Sequence, residues 1–304
     1  MSLLDGAVAV VTGAGNGLGR AEALGLAAAG ARLILNDLPG PAVNEVAQEV
    51  KDAGGDAVVC AGDVSEWATG EALVAAAVAT YGSLDILVNN AGVLRDRMVF
   101  SMSAEEWDLV LRVHLRGHFV TTRFATAYWR ERSKAQGGPV YARVVNTSSE
   151  AFLLGSAGQP NYAAAKAGIT ALTLATARSC ARYGVRANAI CPRARTAMTA
   201  ALMGDAPAGG SDPLAPERVA PLVTYLASPA AERVTGEVFV VHGDMVAVMA
   251  PPTVRESFRA GGDGVWSVAE LEASLGPLFT ADPPRPGFVC EATLPLAGST
   301  FGEG

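Results

Sequence analysis

Tyr162 and Lys166 stand four residues apart in the run YAAAK, a spacing that puts both on one face of a helix. An ammonium beside a phenol favours the phenolate and draws down a pKa that is about 10 in model peptides. Such a phenolate can accept the proton of an alcohol as a general base. Upstream, the run NTSSE offers two hydroxyls, Ser148 and Ser149, that could hold the oxygen of the reacting group. Tyr and Lys at this spacing also occur on helices that do no chemistry, and paired serines are common in loops. The groups gain meaning only from what positions them.

A second cluster lies near the start of the chain. The run TGAGNGLG covers Thr12, Gly13, Gly15, Asn16, Gly17, Leu18 and Gly19, between an apolar run and a helical stretch. There, backbone N–H groups at the positive end of a helix can meet phosphates. A helix start that needs flexible backbone is the plainer reading of the glycines alone. Asp37 argues for more. It closes the next apolar run, twenty residues past Gly17, where dinucleotide-binding sheets carry the acid that binds the ribose hydroxyls. A carboxylate there repels the extra phosphate of NADP. No Arg or Lys stands within the glycine turn or directly after Asp37, and Arg20 reads as helix surface, so NAD is the expected cofactor.

Both clusters need a scaffold that brings them together. Short β-branched runs at 7–12, 31–36, 56–60, 84–89, 140–146, 185–190 and 237–241 read as strands. Helical stretches at 17–29, 41–53, 65–81, 103–132, 160–183 and 216–227 alternate with them. Near-continuous apolar strands alternating with helices predict an α/β doubly wound parallel sheet, a Rossmann fold, over residues 1–245. Ligands bind at the C-terminal edge of such sheets. Residues 199–215 lack periodicity and read as a loop at that edge that could close over a substrate. Arg193 and Arg195 at its base, with Arg95 and Arg97 after NNAG, form either a basic rim for the phosphates of coenzyme A or ordinary solvated arginines. Residues 246–304 are rich in Pro and Gly, with one helix at 267–279, and read as a C-terminal extension packed on the domain or on a neighbouring subunit.

Together these motifs resemble the short-chain dehydrogenase/reductase family over residues 5 to about 245. The resemblance assigns Ser149, thirteen residues before Tyr162, to the substrate oxygen, and makes Tyr162 and Lys166 its catalytic partners. It gives Gly13, Asn16, Gly17, Leu18 and Gly19 to the cofactor phosphates. Asp63 and Val64 in GDVSE would face the adenine, although Asp63 also reads as a helix cap. In NNAG, Asn89 would steady the sheet while Asn90, Ala91 and Gly92 line the cofactor, and Pro192 would approach the nicotinamide. His114, in HLRGHF, stands where the wider family carries an Asn. It is either a buried histidine propping its helix or a proton relay that titrates near neutrality.

The runs NNAGVLRDR, EEWDLVLRVHLRGHF, GQPNYAAAKAG and CPRARTAM resemble one subgroup. That subgroup is the (3R)-hydroxyacyl-CoA dehydrogenase unit of multifunctional enzyme type 2, also called 17β-hydroxysteroid dehydrogenase type 4, with actinobacterial relatives in steroid side-chain β-oxidation. It shares the His at position 114. Pro192-Arg193 departs from the usual Pro-Gly, with one residue fewer before Thr196 and Met198. The implied reaction is NAD-dependent oxidation of a 3-hydroxyacyl-CoA to the 3-oxoacyl-CoA. An NAD-dependent 17β-type hydroxysteroid dehydrogenase, an acyl-carrier-protein reductase and a non-catalytic NAD-binding scaffold are the rival readings; Asp37 speaks against the second and the intact Ser149, Tyr162 and Lys166 against the third.

Composition narrows the class further. The 304 residues are 50% hydrophobic with a net charge of −7 and a mean hydropathy of +0.27, which implies a globular chain and excludes a basic nucleic-acid-binding face. The four cysteines show no CxxC spacing, so reduced thiols are expected and no metal site. The start MSLLDGAVAV lacks the pattern of a signal peptide, and runs such as LVAAAVAT are too short to span a bilayer. A cytoplasmic enzyme follows as the expectation. The long Ala-rich stretches 103–132 and 160–183, with the resemblance, imply a homodimer or homotetramer.

Overall fold

Every residue of Val8–Thr12, Ile86–Asn89 and Ala142–Thr147 is buried. Strands apolar on both faces need a helical layer on each side. The computed structural model, which describes residues 2–199, 203–207, 211–262 and 264–280, has that arrangement. Its elements are β1 (Val8–Thr12), α1 (Gly17–Ala28), β2 (Arg32–Asn36), α2 (Pro41–Asp52), β3 (Asp56–Val59), α3 (Trp67–Tyr81) and β4 (Ile86–Asn89). Then follow α4 (Ala104–Leu111), α5 (Gly117–Gln136), β5 (Ala142–Thr147), α6 (Ala151–Leu154), α7 (Pro160–Cys180), β6 (Val185–Pro192), α8 (Ala220–Ala227), β7 (Val238–His242) and β8 (Met245–Val248). The strand order is β3-β2-β1-β4-β5-β6-β7-β8. Strands β1 to β7 are parallel. This is the doubly wound sheet that the alternating pattern predicts.

Alternation along each strand divides the core in two. Ala9, Val11, Ile86, Val88 and Val145 pack with Ala23, Leu26, Val46, Val50, Val223 and Leu226, on the side of α1, α2 and α8. Val8, Val10, Leu87 and Val144 pack with Leu73, Ala77, Ala125, Trp129 and Ala177, on the side of α3, α5 and α7. Trp129 sits deep in the second layer and donates its indole N–H to the Leu84 carbonyl at 2.7 Å.

Two features differ from the pattern read in the sequence. The single helix expected over 103–132 is two helices, α4 and α5, joined by a π-turn over Arg112–Arg116. α4 opens on a capping box between Ser103 and Glu106. His114 is the buried residue of that π-turn. An eighth strand, β8, also returns antiparallel on β7, with His242 opposite Met245 across the two-residue turn Gly243-Asp244. Gly243 takes a φ of +57°, which such a hairpin turn demands.

The contacts divide the chain into Met1–Met249 and Ala250–Gly304. In the second unit, α9 (Val268–Leu275) is capped by Ser267 and Glu270 and runs into a 3₁₀ turn at Gly276–Phe279. Of the segment expected to form a lid, residues 200–202 and 208–210 lie outside the described residues, as do 281–304 with Cys290.

Trp129 gives the second layer a direct test. Trp129→Phe, which loses the hydrogen bond to Leu84, should cost about 1–3 kcal/mol. Trp129→Ala should cost about 3–5 kcal/mol. Urea unfolding read by tryptophan fluorescence and circular dichroism checks both values and their order.

Candidate active site

The C-terminal ends of β1, β2, β4, β5 and β6 open into one cavity of about 700 Å³. The glycine turn forms one wall. A Cβ on Gly19 would fall 2.1 Å from the Gly13 carbonyl oxygen and 2.6 Å from Asn90 Nδ2, and one on Gly13 would fall 2.8 Å from Ala91 Cα. These two glycines let the turn lie directly on the NNAG segment. Gly19 serves that packing and does not line the cavity, whereas Gly13, Asn16, Gly17 and Leu18 do. Asn16 precedes α1 without capping it through its side chain, so the first N–H groups of this twelve-residue helix remain for an anion.

Asp37 also lines the cavity, held by N–H donors from Gly15 at 2.9 Å and Leu38 at 2.8 Å. Asp63 and Val64 lie further along the wall. The cap of α3 is Glu66, so Asp63 is not the helix cap; its carboxylate closes a turn by accepting from the N–H and hydroxyl of Ser65. Partial burial pushes its pKa up, but the Ser65 hydrogen bonds and the Arg112 guanidinium outweigh it and hold the carboxyl below its ordinary value. The cradle, the uncapped helix start and the Asp37 carboxylate fit a dinucleotide, and no metal-binding group of His, Cys, Asp or Glu occurs among the described residues.

NNAG divides its labour. Asn89 is buried and bonds Asn146, Thr121 and Thr122, tying β4 to β5 and α5. The Asn90 side chain bonds the Thr12 and Gly13 carbonyls. Gly92 leaves room for the His114 ring, whose Cε1 would stand 2.2 Å from a Cβ there. His114 is 2% exposed; its Nε2 lies 2.8 Å from the Val93 carbonyl and 3.0 Å from the Val93 nitrogen, and Nδ1 has no partner. Burial, with the Lys166 charge, holds it well below the ordinary histidine range. That shift favours the neutral imidazole.

Tyr162 and Lys166 enter from the first two turns of α7, which Pro160 starts. Asn161 fixes that start. Its buried amide donates to the Arg95 and Glu106 carbonyls and its oxygen accepts the Tyr162 N–H at 2.7 Å. Nothing in the sequence marks Asn161, because its partners are backbone groups far along the chain. Lys166 is 2% exposed and donates from Nζ to the Thr147 carbonyl at 2.6 Å, 5.3 Å from the centre of the Tyr162 ring. The two serines separate cleanly. Ser148 is spent on α7, bonding the Lys166 carbonyl and the Thr170 hydroxyl, while the Ser149 hydroxyl accepts the Ala151 N–H and acts to lower the Tyr162 pKa. Ser149 itself is not part of the lining, but Tyr162, Lys166, His114 and Pro192 are. Tyr162 meets the His114 ring edge to face, 5.2 Å between centres. Burial pushes the Tyr162 phenol up to about 12 and the Lys166 ammonium down to about 7. Desolvation is the leading cause of both shifts.

The basic rim also changes. Arg193 forks onto Glu150 at 2.5 and 2.7 Å, and Arg195 pairs with Asp212 at 3.0 Å, so both are spent on internal ion pairs. Arg97 pairs with exposed geometry to Glu106. Arg95 alone of the four lines the cavity. The Arg193–Glu150 pair, missed in the sequence, ties the residue after Ser149 to the residue after Pro192.

A profile of the short chain dehydrogenases matches residues 7–206. The chain belongs to the short-chain dehydrogenase family. It is 56% identical over 94% of its length to hydroxyacyl-CoA dehydrogenase ChsB1 of Mycobacterium tuberculosis, covering 92% of that protein. It is 41% identical over 73% of its length to mouse peroxisomal multifunctional enzyme type 2, of which it spans 30%. The crystal structure of a short chain dehydrogenase from Mycobacterium avium superimposes with a TM-score of 0.83 at 45% identity, covering 95% of this chain and all of that one. The enzyme is an oxidoreductase of nicotinamide type.

The ion pair carries its own test. Glu150→Gln removes the carboxylate that Arg193 forks onto, itself only 8% exposed, and should cost about 3–5 kcal/mol of folding free energy. Combining it with Arg193→Met should recover most of that loss. Chemical denaturation of the two variants checks the sign and the recovery.

Proposed function

We propose that the enzyme oxidises a 3-hydroxyacyl-CoA to the 3-oxoacyl-CoA with NAD. The observation that carries this reading is Tyr162, with the Lys166 ammonium 5.3 Å from its ring centre, on the wall of the same cavity that takes in Asp37. A bound nicotinamide supplies the hydride acceptor. Ser149 would hold the substrate oxygen against Tyr162, whose phenolate form, favoured by the Lys166 ammonium together with the positive ring of the bound cofactor, takes the hydroxyl proton as the C–H bond gives up its hydride. Lys166 contributes positive charge behind the phenol, and its burial keeps that field unscreened. His114 braces the Tyr162 ring and the Val93 backbone. The likeness to a hydroxyacyl-CoA dehydrogenase over nearly the whole chain supports the substrate class.

Arg95 at the cavity wall suits a phosphate of coenzyme A, and the likeness to a hydroxyacyl-CoA dehydrogenase supports a role in fatty-acid or steroid side-chain β-oxidation. Phe119 on α5 and Leu174 on α7 are exposed apolar residues that suit a subunit interface, supporting a homodimer or homotetramer. Free thiols at Cys60, Cys180 and Cys191 suit a reducing cytoplasm.

A spectrophotometric assay with NAD and a panel of 3-hydroxyacyl-CoA esters, steroidal ones included, tests the reading. Tyr162→Phe should lower turnover at least about 100-fold, the lower end of general acid–base contributions, with NAD affinity intact. A variant that keeps a tenth of wild-type turnover would remove Tyr162 from the mechanism. Turnover of free hydroxysteroids without acyl-CoA activity would replace the substrate class.

Asp37 sets cofactor choice in this reading. Hydrogen bonds to a charged group are worth about 1.5–3 kcal/mol, so Asp37→Ala should weaken NAD roughly 10- to 150-fold and admit NADP. Michaelis constants for the two cofactors measure the switch, and wild-type enzyme that uses both equally would contradict it.

A further inference from the structure

Helix α1 carries a carboxyl group where a helix packed on a sheet ordinarily carries an apolar side chain. Glu22 is fully buried, and neither of its oxygens has a hydrogen-bond partner. It stands one turn after Gly19, whose backbone abuts Gly13 and Asn90, so it lies behind the cofactor turn. Its neighbours Ala23 and Leu26 share a core cluster with Val145 of β5. Two residues on from Val145, Thr147 points to that same side of the sheet, and its hydroxyl is also buried without a partner. The Thr147 carbonyl holds the Lys166 ammonium.

The charges around this point are few. Lys166 is the one charge that acts on Glu22, and Glu22 acts in turn on Lys166. Cys191, from β6, also faces Lys166, but burial pushes its thiol up to about 12. His114 from the π-turn and His118 from α5 feel the Lys166 charge, and burial lowers both their pKa values. Glu22 is thus the carboxyl group set against Lys166 from the far side of the sheet end. A buried, unpaired carboxyl is costly to a fold, and such groups concentrate at functional sites.

We propose that Glu22 is a positioning residue whose carboxylate, when charged, favours the Lys166 ammonium through space and so sets the pH range over which Lys166 is charged. Burial raises Glu22 to about 8 and lowers Lys166 to about 7, and the charge on each favours the charged form of the other. The inference rests on the catalytic reading of Lys166 given above.

Only three lysines occur in the chain, Lys51, Lys134 and Lys166, and the first two are exposed. Carbon-13 lysine NMR of the whole enzyme therefore resolves Lys166 without any activity assay. In Glu22→Gln, Lys166 loses the carboxylate that favours its ammonium and should release its proton about one pH unit lower, with Lys51 and Lys134 unmoved. The alkaline limb of the kcat profile should move down with it. The fold supplies a second reading. Glu22 has an ordinary value of 4.5 when unfolded and about 8 when folded, so the stability it lends below 4.5 is lost as pH rises towards 8. Glu22→Gln and Glu22→Met should accordingly gain melting temperature over wild type, increasingly from roughly pH 5 to pH 8. An unmoved Lys166 titration in both variants overturns the inference and leaves the dehydrogenase reading standing. Intact turnover of Tyr162→Phe would overturn that reading instead, whatever Lys166 does.

Discussion

Lys166 is almost fully buried, and among the described residues its ammonium rests on a single oxygen, the carbonyl of Thr147 at the end of β5. A charge in that position is tolerated only where the surrounding polar groups are fixed. The network around it does this. Ser148 bonds back to the Lys166 carbonyl and to Thr170, Asn146 bonds Thr173, and Asn89 bonds Asn146. Helix α7 is thereby sewn to β5 and β4, and the position of Tyr162 on its first turn follows from that seam. The rest of the cavity is arranged around a phenol whose place is already decided.

Close approach of backbone does for the cofactor wall what hydrogen bonds do for the catalytic one. Gly13 and Gly19 bring the turn after β1 onto the NNAG segment, and Gly92 yields its space to the His114 ring. The π-turn is part of the same economy of space. It carries His114, whose ring meets Tyr162 edge to face.

Electrostatics inside this cavity run against first expectation because burial dominates. Two groups that favour each other's charged forms in water are both pushed towards neutrality when water is withdrawn. Tyr162 rises and Lys166 falls for this one reason. The arginines follow a related rule. Arg193 and Arg195, close to the substrate edge in sequence, are neutralised by Glu150 and Asp212, because a partly buried guanidinium takes a carboxylate when one is within reach. Their task is to hold loops together, which leaves Arg95 as the cation that faces the cavity among those four.

The sheet, its parallel sense and most element boundaries were legible in the sequence, because apolar periodicity is a local signal that burial on both faces enforces. TGAGNGLG, Asp37, NNAG and the Tyr162–Lys166 spacing were legible for a similar reason: each is a short run whose geometry a turn or one helix face dictates. The hairpin turn Gly243-Asp244 was there to be read and marks β8. Other features had no local signature. Asn161 matters through carbonyls at positions 95 and 106, Glu150 through Arg193, and Glu22 through Lys166, each separated by more than forty residues of chain. The break in the long helix at His114 belongs with them, since it answers to Tyr162 and Gly92. Sequence determines which segments fold and where each side chain points along its own element; only the packing of distant elements decides which buried polar groups meet, and burial then sets their charge.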